Sequence, residues 1–188
     1  LELALADNLP EARAIQIDSL VRDEDGWAAH VDFYLDVESG VVDQLRFELP
    51  EAFGTPVLRD SNLQHRVAPL GQDARRNFVV ALPAADGNSH RVQFAGSVHI
   101  APGERLRLPD VRPVASFGVE RYVVVPAEIE SQPVVWETVG LVADELPHVA
   151  ARQAGGQQRQ LVSVAAADAL YETAVLRERR RRHRGLRL

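Results

Sequence analysis

The run from Trp27 to Glu38 alternates between apolar and polar residues, and a period of two at this length specifies a half-buried β-strand. Val31, Phe33, Leu35 and Val37 point one way, and His30, Asp32, Tyr34, Asp36 and Glu38 the other. Just before it, Ile15, Ile17 and Leu20–Val21 form a second apolar segment. The two are separated by Asp23-Glu24-Asp25-Gly26, an acidic turn with a glycine where positive φ is needed. This pattern predicts a long β-hairpin.

Strand and turn signals then recur about every 8–12 residues, the spacing expected of sandwiches and barrels. Ser39-Gly40 reads as a turn. Val41 to Leu49 alternates and Pro50 stops it. Val57–Leu58, Leu63–Val67 and Asn77–Leu82 read as short strands, and Asp86-Gly87-Asn88 as a turn. His90–Ile100 and Arg121–Val125 are strand-like, each followed by proline. Leu106 and Leu108 form a short apolar pair, and Val134-Val135-Trp136 is strand-like. Helix signals are scarce before residue 140, and Val139–Ala150 has room for one short helix. The expected fold is all-β: an antiparallel β-sandwich-like domain over 1–150, an exposed Gly155-Gly156 linker over 151–160, and a less regular C-terminal segment over 161–188. That last segment fits either a helix, through its alanines, or a strand with Tyr171, Thr173 and Val175 on one face. Strand is the preferred reading.

Composition narrows the chemistry. Without cysteine, disulfides, thiolate catalysis and Cys-based zinc sites are excluded. No apolar stretch approaches the ~18 residues of a membrane-spanning helix. There is no methionine even at position 1, which reads as a chain that begins after processing or belongs to something longer. All 21 basic residues are arginine. The net charge of −6 divides into +6 over residues 177–188 and −12 over the rest. An acidic body argues against nucleic acid as a partner.

The strand Val41-Val42-Asp43-Gln44-Leu45-Arg46-Phe47-Glu48-Leu49-Pro50, the strand end Leu106-Arg107-Leu108-Pro109 and the run Gly118-Val119-Glu120-Arg121-Tyr122-Val123-Val124-Val125 lie within Val41–Glu128. That stretch, about half the chain, resembles β-sandwich-type modules of large surface-associated proteins of GC-rich bacteria. The resemblance implies a repeated β module in a long extracytoplasmic chain. It carries no catalytic residue.

Four groups of residues bear on function. His30, Asp32, Tyr34 and Asp36 share one strand face at about 6.5–7 Å intervals, so Asp32 and Asp36 are candidates for holding a divalent cation with a neighbouring strand. The competing reading is the solvent face of an antiparallel sheet. Asp23, Glu24 and Asp25 resemble part of a calcium loop, but the spacing of a twelve-residue loop is missing. The histidines at 30, 65, 90, 99, 148 and 183 fall in no Gly-x-Ser-x-Gly or His-Glu-x-x-His arrangement. The tail carries Arg177, Arg179, Arg180, Arg181, Arg182 and Arg184, a candidate interaction site for phosphate groups, an acidic patch on another copy, or a downstream strand partner. The aromatic residues scattered through the strands read as core. No cofactor is expected. The resulting expectation is a structural or adhesive module whose partners are other copies or neighbouring domains, at an extracytoplasmic location or the cell surface. A carbohydrate- or calcium-binding module is the first alternative, and a hydrolase the second.

Overall fold

A computed structural model describes residues 9–23, 26–71, 73–83, 88–100, 105–129, 132–133, 135–137, 139–143 and 173–178. Among these residues there are thirteen strands and no helix, so the fold is all-β. No helix among them is long and apolar enough to cross a membrane.

The predicted hairpin forms. β1 (Glu11–Asp23) and β2 (Gly26–Ser39) pair antiparallel along their length, from Glu11 opposite Ser39 to Asp23 opposite Gly26. Gly26 sits at φ +127°, a conformation that L side chains rarely adopt. β3 (Gln44–Pro50), β4 (Val57–Leu58), β5 (His65–Val67), β6 (Arg75–Ala81) and β7 (Ser89–Ser97) fall where alternation places strands. β8 (Arg112–Pro113), β9 (Gly118–Pro126), β10 (Glu128–Ile129), β11 (Gln132–Pro133), β12 (Leu141–Ala143) and β13 (Thr173–Glu178) complete the order.

Two sheets carry the architecture. The larger has the order β12-β13-β9-β1-β2-β7-β4, the smaller β5-β6-β3-β8, and β10 and β11 pair by themselves. Hydrophobic inward positions of both sheets meet in one core. Phe33 on β2 and Phe94 on β7 interlock with Phe47 on β3 and Phe78 on β6. Ring centroids are 5.2 Å apart for Phe33–Phe47, 5.1 Å for Phe47–Phe94 and 4.9 Å for Phe78–Phe94, all edge-to-face. Such pairs add about 0.5–1.5 kcal/mol each beyond the area they bury. The reading of these aromatics as core holds.

Three expectations are corrected. The sheets are not wholly antiparallel: β1 and β9 run parallel from Arg13–Gly118 to Ser19–Val124. Local alternation carries no information on the direction of a partner about a hundred residues away. The room for a helix in Val139–Ala150 begins instead with β12, paired to β13, while 144–150 lie outside the described residues. Trp136 belongs to no strand; its indole donates to the Pro126 carbonyl at 2.6 Å and the ring packs against the core. For the C-terminal segment, residues 173–178 adopt the strand alternative, antiparallel to β9. The linker 151–160 lies outside the described residues.

Candidate functional site

The larger sheet is wider than the smaller one, so part of its inner face needs another cover. The segment 105–111 contributes to it: Leu106, Leu108 and Val111 pack into the core, and Val111 and Asp110 bond to Gln16 on β1 and Arg121 on β9. Here the inner face turns polar. Gln16 and Asp18 take inward positions on β1, between Ala14 and Leu20, and are 0% and 2% exposed. Arg121 is the register partner of Gln16 on β9.

These side chains form one connected network. The Gln16 amide Nε2 donates to Asp18 Oδ1 at 2.7 Å and to the Val111 carbonyl at 3.0 Å. Arg121 Nη2 donates to Asp18 Oδ2 at 2.9 Å, and its Nη1 to Asp110 Oδ1 at 3.2 Å. The other Asp110 oxygen accepts from Arg112 at 2.6 Å and from Arg75 at 3.2 Å, and Arg75 also reaches the Asp110 carbonyl. Arg121 therefore joins a carboxylate on β1 to one in the covering segment, and Asp110 collects three guanidinium groups.

The two carboxylates are pushed in opposite directions. Burial raises the Asp18 carboxyl to about 6, with Arg121 offsetting only part of that effect. At Asp110 burial also raises the pKa, but Arg121 and then Arg112 outweigh it and hold the carboxyl below its ordinary range. A carboxyl near 6 has the affinity of a general acid or base. However, both Asp18 oxygens already accept hydrogen bonds, which suits an anchor for segment 105–111 better than a proton carrier.

Part of the opposite face of the larger sheet is buried as well. Ile17, Tyr34, Tyr122 and Val124 form a second buried apolar cluster, with Ile15 against it. Alternation correctly puts His30, Asp32, Tyr34 and Asp36 on this face, but it is not simply a solvent face: Asp32 is 3% and Tyr34 9% exposed. The Asp32 carboxylate accepts from Arg91 at 3.2 Å and from the Gln93 amide. The Arg91 guanidinium also stands 5.0 Å over the Tyr34 ring. Burial, followed by the Asp32 charge, pushes the Tyr34 phenol up to about 12. Asp36 is exposed and accepts from the Ser89 hydroxyl at 2.9 Å.

The predicted site residues are thus dispersed. Asp32 and Asp36 share a face, but Asp32 meets Arg91 and Gln93, and no three metal-ligating side chains come together among the described residues. Asp23 ends β1 opposite Gly26, while Glu24 and Asp25 lie outside the described residues. Arg177 is exposed on β13 opposite Tyr122, and Arg179, Arg180, Arg181, Arg182 and Arg184 lie outside the described residues. Sequence reasoning missed Gln16, Asp18, Asp110 and Arg121. One signal was available: Ile15 and Ile17 have one parity and Leu20 the other, the mark of a strand buried on both faces. A polar residue on such a strand needs buried partners.

A scan against family models and a search of curated proteins find no match to this chain.

Proposed function

We propose that this chain is a structural and adhesive module that joins other copies of itself, as a building block of a larger extracytoplasmic assembly. The supporting observation is the uneven cover of β7. On one side β7 pairs with β2 over nine residues, Ser89 to Ser97. On the other, β4 reaches only Phe94 and Ala95, with single bonds from the Arg59 amide to Gln93 and from the Gly54 amide to Ser97. Backbone groups alternate in direction along a strand. The period that turns Gln93 outward also turns Ser89 and Arg91 outward, and these have no strand neighbour on that side among the described residues. Such an edge accepts an extended segment from another molecule. The stretch is short and carries Arg91, features that favour reversible pairing over aggregation. The extracytoplasmic setting rests on the resemblance of Val41–Glu128 to surface-protein modules.

The test is light scattering of the native chain and Ser89→Pro from about 10 μM to about 1 mM. Proline at 89 removes an outward amide and leaves the β2 ladder intact. Concentration-dependent association that Ser89→Pro abolishes supports the reading. A native chain that stays at monomer mass throughout, or association unchanged by the substitution, overturns it.

A further inference from the structure

The outer face of the smaller sheet carries a depression of about 400 Å³, within the size range of small-ligand sites. Its lining comes from three strands and the residue after β5. Gln44 and Arg46 stand on β3, Asn77 and Val79 on β6, Arg66 and Val67 on β5, with Ala68 following. Register explains the grouping. Val79 is opposite Arg46 on one side and opposite Arg66 on the other, so one row across the sheet reads Arg66, Val79, Arg46. An apolar residue separates two guanidinium groups.

Every polar side chain in this lining can donate. Arg46 Nε donates to the Asn77 carbonyl oxygen at 2.7 Å. That bond engages one of five guanidinium N–H groups and turns the Asn77 NH₂ away from Arg46 as a further donor. Arg66 is exposed and makes no ion pair or side-chain hydrogen bond among the described residues. Among the described residues no carboxylate lines the depression, although the chain carries 27 acidic residues and a net charge of −6. Glu48, two positions after Arg46 on the same strand, is not among the lining residues. Two arginines with spare donors, one of them oriented by an amide, match the geometry of an oxyanion.

We infer that this depression binds a sugar bearing an oxyanion: the two guanidinium groups hold a carboxylate or sulfate, the Gln44 and Asn77 amides bond hydroxyls, and the Ala68 and Val79 surface takes the apolar face of the ring. The volume exceeds what a lone oxyanion fills, and the amides serve a hydroxyl-rich ligand better than an apolar one. The inference is independent of the adhesive reading, which uses the edge of the other sheet.

The experiment is a calorimetric titration of the native chain with three short oligosaccharides: one of uronic acid units, one sulfated and one neutral. NMR of the Val79 amide locates any binding. Saturable binding of an acidic oligomer, weakened about tenfold or more in Arg66→Gln, reduced by salt and absent with the neutral oligomer, is the expected result. The tighter acidic oligomer tells carboxylate from sulfate. Among the described residues the Arg66 side chain makes no ion pair or hydrogen bond, so Arg66→Gln keeps the native melting temperature. No saturable binding of either acidic oligomer at about 10 mM, equal binding of the neutral one, or full affinity in Arg66→Gln overturns the proposal.

Discussion

Arg121 on β9 donates to Asp18 on β1 at 2.9 Å, although 103 residues separate them along the chain. The parallel β1–β9 pairing brings them together, and the same guanidinium continues to Asp110 in the segment that covers the inner face. The polar network thus closes the core where the smaller sheet ends.

Asp18 sets a pH dependence of definite sign. Its folded-state carboxyl lies near 6 against an ordinary 3.8, so the folded state holds the proton more tightly than the unfolded one. That contribution to stability is complete below about pH 4 and is lost as the pH rises through 6. Two units correspond to roughly 3 kcal/mol. Urea unfolding of the native chain and Asp18→Asn at pH 4, 5, 6 and 7 measures it. The native chain should lose stability across this window, and Asp18→Asn should lack that component. Parallel curves for the two would refute this account of Asp18. Asp110 has the opposite sign and acts below this window, its stabilisation being lost as the pH falls below 3.8.

Asp110→Ala removes the acceptor shared by Arg75, Arg112 and Arg121. Asp110 is partly exposed, so the expected cost is modest, about 1–3 kcal/mol. The covering segment should loosen first. Limited trypsin digestion should cut faster after Arg105 and Arg107 than in the native chain, and unchanged cleavage would show that the segment is held by its apolar contacts alone.

Gly96 on β7 lies against the Phe53 ring, and a Cβ there would overlap it. Phe53 is fully buried beside Phe94, so the ring has little room to withdraw. Gly96→Ala should therefore destabilise the fold by about 1–3 kcal/mol through overpacking. A melting temperature within a degree of the native value would mean that Phe53 repacks freely.

β13 covers β9 from Tyr122 to Pro126. Removing residues 173–178 and all that follows them strips that ladder from a strand whose Val123, Val124 and Val125 are buried. The shortened chain should unfold at lower urea and associate at concentrations where the full chain does not, because a long apolar edge pairs with other chains. Light scattering of both chains at equal concentration decides this, with equal masses counting against the prediction.

Much of the fold was legible because the information is local. The alternation of Val31, Phe33, Leu35 and Val37 sets which face of β2 meets the core, and one missed residue would reverse it. Gly26 marks the turn because few other residues adopt its φ. Prolines 50 and 126 mark strand ends because they lack an amide for the ladder. The long strands β1, β2, β3, β6, β7 and β9, the all-β class and the aromatic core follow from patterns a few residues long.

The rest depends on pairings between distant segments. The sequence of β1 does not say that β9 lies beside it, in parallel, or that Arg121 therefore faces Asp18. Nor does the stripe on β2 reveal that Ile17 and Tyr122 share its outer face and leave Asp32 and Tyr34 buried. The Arg66–Val79–Arg46 row is likewise invisible until β5, β6 and β3 are set side by side. A residue's period along the chain determines the side of the sheet it takes. Its neighbours, and with them its charge state and its chemistry, come from the register of strands that meet only in the folded protein.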